Sequence, residues 1–440
     1  MPRGLRVNDN TECGCCKGSD FTSSGHVHEK YKGYKDIKGR IKGGKGKKWK
    51  NNAWGVNEMR YIIKKLKKLN GSDPRQLGKV KHPLYEILTI CILSVICGCT
   101  SGLQIYHFGV IREEILRKIL PLTNGIPIRL TISRTLRLLN PSVFEEWFNK
   151  VMVKAQKDTK GAIVALDGKR FFTERMADGS ANPLYIVSAW CSRNKMTLAQ
   201  QKTLEKSNEI TAIPLLLKFL KIPSAIVTID EIGCQKEIVR TIKKKNKADY
   251  CIALKENHPL MYKEMAAYAQ DCLSDKTLRD KYTSITKTDK AHGRIEVRTY
   301  TFFHDLSWFH DLKKWEGLAG LVMVESKRTV KGITSTEVRY FITSLTDVQS
   351  AAVAIRSHWG IENSLHWVLD VVLREDYWLT QKQNTAANLA IIRKLSLNLL
   401  RDFDPKLNIK GEVSNSLKIK VLAADYKAFI RFLRLTNVFS

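Results

Sequence analysis

Acidic residues are scarce in this sequence compared with basic ones. Its 440 residues include 43 Asp and Glu against 74 Lys and Arg, which gives a formal net charge of +31 at pH 7. Such an excess goes far beyond what solubility needs, and it favours binding to a polyanion through counterion release. We therefore expect nucleic acid as the main partner, and an anionic membrane surface is the second possibility.

Long hydrophobic runs are also scarce. The longest uncharged stretch, residues 87–111, has the length of a membrane span, but polar residues and glycines dilute its second half. This pattern favours a buried helix followed by a bend. Because no apolar segment follows Met1, we expect no secretory leader, a cytosolic location and no membrane partner.

The ten cysteines show no pattern that indicates disulfides. Half of them lie in apolar segments, where free thiols pack as small hydrophobic groups: Cys91, Cys97, Cys191, Cys234 and Cys251. Near the N-terminus, three cysteines and two histidines could bind zinc, but their spacing fits none of the usual ligand pairs.

Changes in patterning divide the chain into six segments. We predict a basic, disordered tail (1–58), a helical domain that could bind DNA (59–158), the first part of an α/β core (159–281), a β-rich insertion (282–345), an acidic helix that completes the core (346–404) and a helical C-terminal segment (405–440). The tail could add non-specific DNA affinity, or it could be a translated leader before a true start at Met59.

The helical domain contains a helix pair separated by a turn with Asn124, Gly125 and Pro127. Arg134 and Arg137 lie on the second helix of the pair. The pair could be a helix-turn-helix that contacts DNA, although helical scaffolds without such a role have the same pattern.

Two aspartates follow similar apolar strand patterns. Asp167 ends "AIVALD" and Asp230 ends "SAIVTID", so we expect both at strand ends, where ligand and metal sites commonly form. Each could instead be an ordinary turn residue. In a strongly basic protein, however, paired carboxylates are typical of a site that holds divalent cations for phosphodiester chemistry.

A third carboxylate lies on the predicted helix "RSHWGIENSLHWVLDVVLRED". His358, Glu362, His366 and Asp370 recur every four residues and so share one helix face. The two histidines are about 12 Å apart along the axis, too far to bind one zinc ion together. We therefore interpret Glu362 as the third metal ligand, although a solvated surface glutamate would give the same pattern.

Several motifs occur together in the order of a known family. The blocks "HPLYEILTICILSVICG", "LPLTNGIP", "ALDGKRFF", "VTIDEIGCQKEI", "YCIALKENHP", "HGRIEVRTYTF" and the acidic helix resemble the insertion-sequence DDE transposases of the ISAs type, also called H-repeat-associated proteins. The resemblance covers residues 73–401.

The resemblance implies a ribonuclease H-like catalytic core that is interrupted by the β-rich insertion. It places the acidic triad on Asp167, Asp230 and Glu362, with two Mg²⁺ or Mn²⁺ ions, and it implies cleavage of element ends, strand transfer into double-stranded target DNA, a homo-oligomer on DNA and a place beside the nucleoid of a prokaryote. Related transposases carry a tyrosine and an arginine before this glutamate and a lysine after it. Here Ile355 and His358 occupy the first two places, and Asp370 lies near the third.

Further residues are predicted to contact DNA. One face of the strand "HGRIEVRTYTF" is polar and basic, Lys255 follows the last core strand, and three residues adjoin Glu362 on its helix. The candidates are His292, Arg294, Arg298, Lys255, Arg356, His358 and Trp359. Two other functions stay open: a ribonuclease H-like nuclease that cuts without joining, and a catalytically inactive DNA-binding remnant of a transposase.

Overall fold

The computed structural model describes residues 58–175, 181–203, 209–291, 293–376, 384–407 and 413–436. Residues 1–57, which hold nearly all of the predicted basic tail, lie outside these ranges, and so does His292.

The described chain begins with helices and continues as a mixed α/β arrangement. The helices are α1 (Glu58–Leu66), α2 (Leu84–Ile96), α3 (Gly102–Ile111), α4 (Glu113–Arg117), α5 (Arg129–Leu138), α6 (Pro141–Met152), α7 (Glu209–Leu217), α8 (Lys236–Lys244), α9 (Pro259–Ser274), α10 (Val348–His358), α11 (Thr385–Leu400), α12 (Asn415–Ala424) and α13 (Tyr426–Leu435). The strands are β1 (Ile163–Arg175), β2 (Ala181–Cys191), β3 (Met196–Thr203), β4 (Ile226–Ile229), β5 (Asp249–Leu254), β6 (Tyr282–Ala291), β7 (Arg294–Phe303), β8 (Gly320–Val330) and β9 (Ile333–Thr343).

The long uncharged stretch forms two helices with a break between them. All residues of α2 are buried, which explains why its sequence is apolar on every face. The chain turns at Gly98, whose φ is 83°, and Ser101 then caps α3 by accepting a hydrogen bond from the Gln104 amide. The predicted buried helix followed by a bend is confirmed. Among the helices of the described ranges, none has the length and hydropathy needed to cross a bilayer.

Among the described residues the strands form one nine-stranded sheet in the order β3-β2-β1-β4-β5-β9-β8-β7-β6. Strands β1, β2 and β3 form an antiparallel meander, whereas β4 and β5 run parallel to β1. The short strands β4 and β5 are largely buried, as expected for central strands covered on both faces.

The strands of the predicted insertion continue the same sheet, because β9 pairs antiparallel with β5 from Cys251↔Thr343 to Leu254↔Tyr340. Beyond this paired segment, β9 is exposed from Ile333 to Val338. We call β6, β7, β8 and β9 the ribbon.

Buried asparagines cover the outer edge of the sheet. Asn149 of α6 exchanges two hydrogen bonds of 2.9 Å with the backbone of Gln200 in β3. Asn398 of α11 does the same with Thr197, at 2.9 and 3.0 Å. These side chains pair with backbone groups that an edge strand would otherwise expose, and they fix both helices against the sheet.

Two expectations about local structure were wrong. Asp167 does not end a strand, because β1 runs on to Arg175 as one arm of the hairpin with β2. The acidic helix is also not a regular α-helix throughout. Beyond α10 it continues with two π-type turns, Glu362–His366 and Val368–Val372, which are closed by bonds from the Trp367 amide to the Glu362 carbonyl and from the Leu373 amide to the Val368 carbonyl.

Candidate active site

Strand register brings Asp167 and Asp230 to the same level. Strands β1 and β4 pair in parallel from Ile163↔Ile226 to Leu166↔Ile229, so the next residue on each strand is one of the two aspartates. Strand β4 ends there, and Asp230 leads into a short 3₁₀ turn. Both side chains line one cavity of about 620 Å³ at the carboxyl end of β4.

Helix α10 carries the third carboxylate towards this cavity. The helix begins at Val348 and is capped by Asp347, whose side chain accepts a hydrogen bond of 2.8 Å from the Ser350 amide, and it packs across β1, β4 and β5. Glu362 is the first residue of the first π turn and lines the same cavity.

Gly360 permits a close approach of this segment to β2. A Cβ atom built on Gly360 would lie 2.9 Å from the ring of Trp190, a distance that side chains essentially never show. The Trp190 ring is itself buried and held in the core. Gly360 lies two residues before Glu362, so this close packing helps to determine how far the Glu362 carboxylate extends into the cavity.

His366 lies between two of the carboxylates. Its ring is buried, and Nδ1 lies 3.4 Å from Oδ2 of Asp167 and 3.5 Å from Oε2 of Glu362. One ligand atom from each of these three residues lies within 4.8 Å of the others. The other ring nitrogen, Nε2, is buried and has no hydrogen-bond partner within the described part of the chain.

The pKa values of Asp167 and Glu362 are shifted by the groups around them. Burial raises the pKa of Asp167 above its usual range, and the neighbouring carboxylates of Glu362 and Asp230 raise it further. The His366 imidazole beside Glu362 holds the pKa of that carboxyl below its usual range. Carboxylates at such short separations repel each other when ionised, and a bound divalent cation would offset this repulsion.

A partly buried lysine, Lys169, connects β1 to the far end of the acidic segment. Lys169 follows Asp167 by two residues and so faces the same side of β1. Its ammonium forms ion pairs with Asp370, with Glu375 at 2.9 Å and with Asp376 at 3.5 Å. Although burial acts in the opposite direction, Lys169 and Arg393 hold the pKa of the buried Glu375 below its usual range.

The cavity also gathers several of the predicted DNA contacts. Lys255 forms an ion pair of 2.7 Å with Glu231, and Trp359 is 51% exposed. His358 points Nδ1 at the Thr228 hydroxyl at 2.9 Å, and burial lowers the pKa of its ring to about 4, so the ring is neutral near pH 7. A neutral ring can hydrogen-bond to DNA but adds no positive charge.

The remaining candidates lie outside the cavity. Arg298 of β7 is buried and bound by Asp289 and Glu296, each at 2.5 Å, so much of its charge is already neutralised within the sheet. Arg356 is 48% exposed and lies 3.8 Å from Asp289. Arg294, at the start of β7, is partly exposed, whereas Arg134 and Arg137 are exposed on the outer face of α5. Contact between these residues and DNA stays a prediction.

Several residues at the cavity were missing from the predicted site, among them His366, Trp367 and Glu231. His366 recurs four residues after Glu362, so the helical spacing was visible, but it pointed equally to a DNA contact. Trp367 is 55% exposed beside the carboxylates, and Glu231 lines the cavity from the 3₁₀ turn after β4. The contact between Lys169 and the acidic segment left no signal in the sequence, because its partners lie about 200 residues away.

Comparison with known proteins gives consistent results. Residues 159–399 match the family described as "Transposase DDE domain", and residues 64–152 match the family described as "DDE_Tnp_1-associated". The chain is 38% identical to "Putative transposase YncI" of Escherichia coli O157:H7, over 80% of this chain and 90% of that protein. It is 33% identical to "H repeat-associated putative transposase YhhI" of Escherichia coli strain K12, over 74% and 87% of the two chains.

Proposed function

Because this chain belongs to the family of DDE transposases, we propose that it cleaves phosphodiester bonds at the ends of a mobile element and transfers the resulting strands to target DNA. The observation that carries the proposal is the convergence of Asp167, Asp230 and Glu362 on one cavity. These are the three carboxylates that the resemblance assigns to the catalytic triad.

The sheet order supports a ribonuclease H-like core. An antiparallel meander of three strands followed by two strands parallel to the first is the arrangement we expect for that fold. In this core, β1 and β4 carry the two aspartates, and the acidic segment lies across the sheet with the glutamate.

The site fits divalent cations. Asp167, Asp230 and Glu362 would hold them, and the oxygen-rich, mutually repelling donor set matches the ligands that Mg²⁺ and Mn²⁺ accept. Two bound ions would supply activation of the attacking oxygen and stabilisation of the leaving oxygen. The protein's own residues would fix the geometry. The register of β1 with β4 aligns the two aspartates, and Gly360 and Lys169 position the segment that carries Glu362.

We propose that DNA passes over the cavity mouth. Trp359 and Trp367 present exposed rings on which bases can stack, Lys255 provides an exposed cation at the cavity, and Arg356 provides another outside it, near Asp289. Arg134 and Arg137 on α5, with Arg294 on the ribbon, would add phosphate contacts further along the duplex. Two element ends require a paired assembly, so we expect a homo-oligomer on DNA, acting at the nucleoid.

The decisive experiment incubates the purified chain with duplexes that carry its element's ends and with target DNA in the presence of Mg²⁺. Cleavage together with joined products supports the proposal, whereas cleavage alone identifies a nuclease. Asp230→Asn should abolish both products, and Asp271→Asn, an exposed aspartate on α9, is the matched control that should keep them. DNA binding without cleavage, unchanged by Asp230→Asn, would identify an inactive DNA-binding remnant.

A further inference from the structure

We infer that His366 is itself a metal ligand, through Nδ1, and that it gives the site a preference for Mn²⁺ over Mg²⁺. The inference rests on the proposed function in one respect, namely that Asp167 and Glu362 hold a divalent cation. It adds a nitrogen donor to a ligand set that the resemblance assigns to carboxylates alone.

The orientation of His366 favours metal binding. The His366 ring is buried, and Nδ1 is the nitrogen that faces the carboxylates of Asp167 and Glu362. The two carboxylates come from different elements, β1 and the first π turn, so the imidazole stands at the point where the two parts of the site meet.

The distances from Nδ1 to the two carboxylates are longer than ordinary hydrogen bonds. A hydrogen bond from the ring to a carboxylate is expected at about 2.7–3.2 Å. The observed separations of 3.4 and 3.5 Å are longer than this. Two atoms that each lie about 2.0–2.2 Å from a shared ion are roughly 2.8–3.1 Å apart at octahedral angles and roughly 3.3–3.6 Å apart at tetrahedral angles. The two separations from Nδ1 lie at the upper end of this span, so the imidazole is placed to share an ion with either carboxylate after a small adjustment of the side chains.

The backbone places Glu362 and His366 together in one wide turn. Glu362 and His366 are the first and last residues of a π turn, closed by a bond from the Trp367 amide to the Glu362 carbonyl. Such wide turns are rare and frequent at functional sites. Here the turn presents a carboxylate and an imidazole together, and Leu365, buried beside them, anchors it to the core.

The ligand set determines which ion the site prefers. Mg²⁺ binds oxygen donors and rarely takes nitrogen, whereas transition-metal ions accept imidazole. Mn²⁺ suits both carboxylate and imidazole, so a site with His366 should hold it more tightly than Mg²⁺.

The test uses the full chain with Mn²⁺ alone and pulsed electron paramagnetic resonance, which detects nitrogen nuclei bonded to the ion. We expect imidazole nitrogen coupling in the wild-type chain. His366→Asn places an amide oxygen where Nδ1 stood, so the coupling should disappear, and the Mn²⁺ affinity should fall by about tenfold while Mg²⁺ affinity, measured by competition, falls less. His358→Asn is the matched control, because His358 lines the same cavity but bonds to Thr228, and it should keep the coupling.

The outcomes separate two kinds of failure. If Mn²⁺ binds, and Asp167→Asn abolishes that binding, but the wild-type spectrum shows no nitrogen coupling, the role of His366 is overturned and the carboxylate site stands. If Mn²⁺ binding is absent or insensitive to Asp167→Asn, both the inference and the proposed metal site fail. The wild-type spectrum decides the first point even if a variant folds poorly.

Discussion

At the scale of single residues, two positions in the fold are closely confined by their surroundings. Gly360 has no room for a methyl group, and Glu145 of α6 is a carboxylate buried among polar partners. Glu145 accepts hydrogen bonds from the side chains of Gln200 and Gln201 and from the Lys202 amide. Despite these bonds, burial raises the pKa of Glu145 to about 7. Each residue leads to a measurable consequence.

Gly360→Ala should impair cleavage more than stability alone explains. The added methyl group would contact the Trp190 ring, displacing the segment that carries Glu362 and costing about 1–3 kcal/mol of unfolding free energy. We expect cleavage with Mg²⁺ to fall by at least about tenfold at a temperature where the variant stays folded. Gly71→Ala is the control, since a Cβ there meets nothing within 4 Å among the described residues. Equal activity of both variants would contradict the role of Gly360.

The Glu145 carboxyl should make stability depend on pH. Because its pKa is about 7 in the folded chain and near 4.5 when exposed, the folded state binds the proton more tightly. Its contribution is therefore present at low pH and is lost as the pH rises from about 4.5 to about 7, by up to about 3 kcal/mol. Glu145→Gln should remove this component, so the difference in unfolding free energy between variant and wild type should change across that window. A difference that is constant with pH would contradict the assignment.

At the scale of elements, the acidic segment is fixed at both ends by different means. Its start is capped at Asp347 and packed on the sheet, whereas its end is held by Lys169 against Asp370 and Glu375. The two π turns lie between these anchors. Since Glu362 and His366 belong to the first of these turns, their positions depend on both anchors.

Lys169→Met should loosen the far anchor. It leaves Glu375 buried without its nearest cation, and breaking a buried pair in this way typically costs about 3–5 kcal/mol. The double variant Lys169→Met, Glu375→Gln should recover part of that loss, because the unpaired charge is gone. Urea unfolding of the wild type, both single variants and the double variant measures the coupling. Additive losses would show that the pair does not couple the segment to β1.

The sequence allowed prediction of the parts of the site that depend on local pattern. The alternation of strands and helices indicated a mixed α/β fold, and the apolar run before Asp230 indicated β4. The continuation of β1 was missed because Asp167-Gly168 has the composition of a turn, while its strand conformation depends on pairing with β2. The π turns, the Lys169 ion pairs and the pairing of β9 with β5 arise from contacts between distant segments, which periodicity does not report.

At the scale of the whole molecule, the positive charge and the continuous sheet both bear on DNA binding. The net charge of +31 predicts strong attraction to DNA, and the exposed part of the ribbon carries basic residues beyond the segment paired with β5. Lys290 on β6 and Arg328 on β8 are exposed there. DNA contacts on the ribbon and chemistry in the cavity would thus involve one sheet.

Lys290→Gln and Arg328→Gln should weaken DNA binding through loss of phosphate contacts. Each should reduce the magnitude of the slope of log K against log salt by about one, nearly independently of DNA sequence. Titrations across a range of salt concentrations measure this slope. Lys276→Gln, an exposed lysine after α9, serves as the control. If all three variants keep the wild-type slope, the ribbon does not contact the backbone.

Under the proposed function, the pairing of β9 with β5 would affect where DNA is cut. From Ile333 to Arg339, β9 extends beyond its pairing with β5 by roughly 23 Å at about 3.3 Å per residue. This is about two-thirds of one turn of duplex DNA, which is about 34 Å long. Because backbone hydrogen bonds join the ribbon to the strand beside Asp230, the ribbon would hold its DNA contacts at a fixed distance from the cavity. The spacing between the bases it touches and the bond that is broken would then be built into the protein.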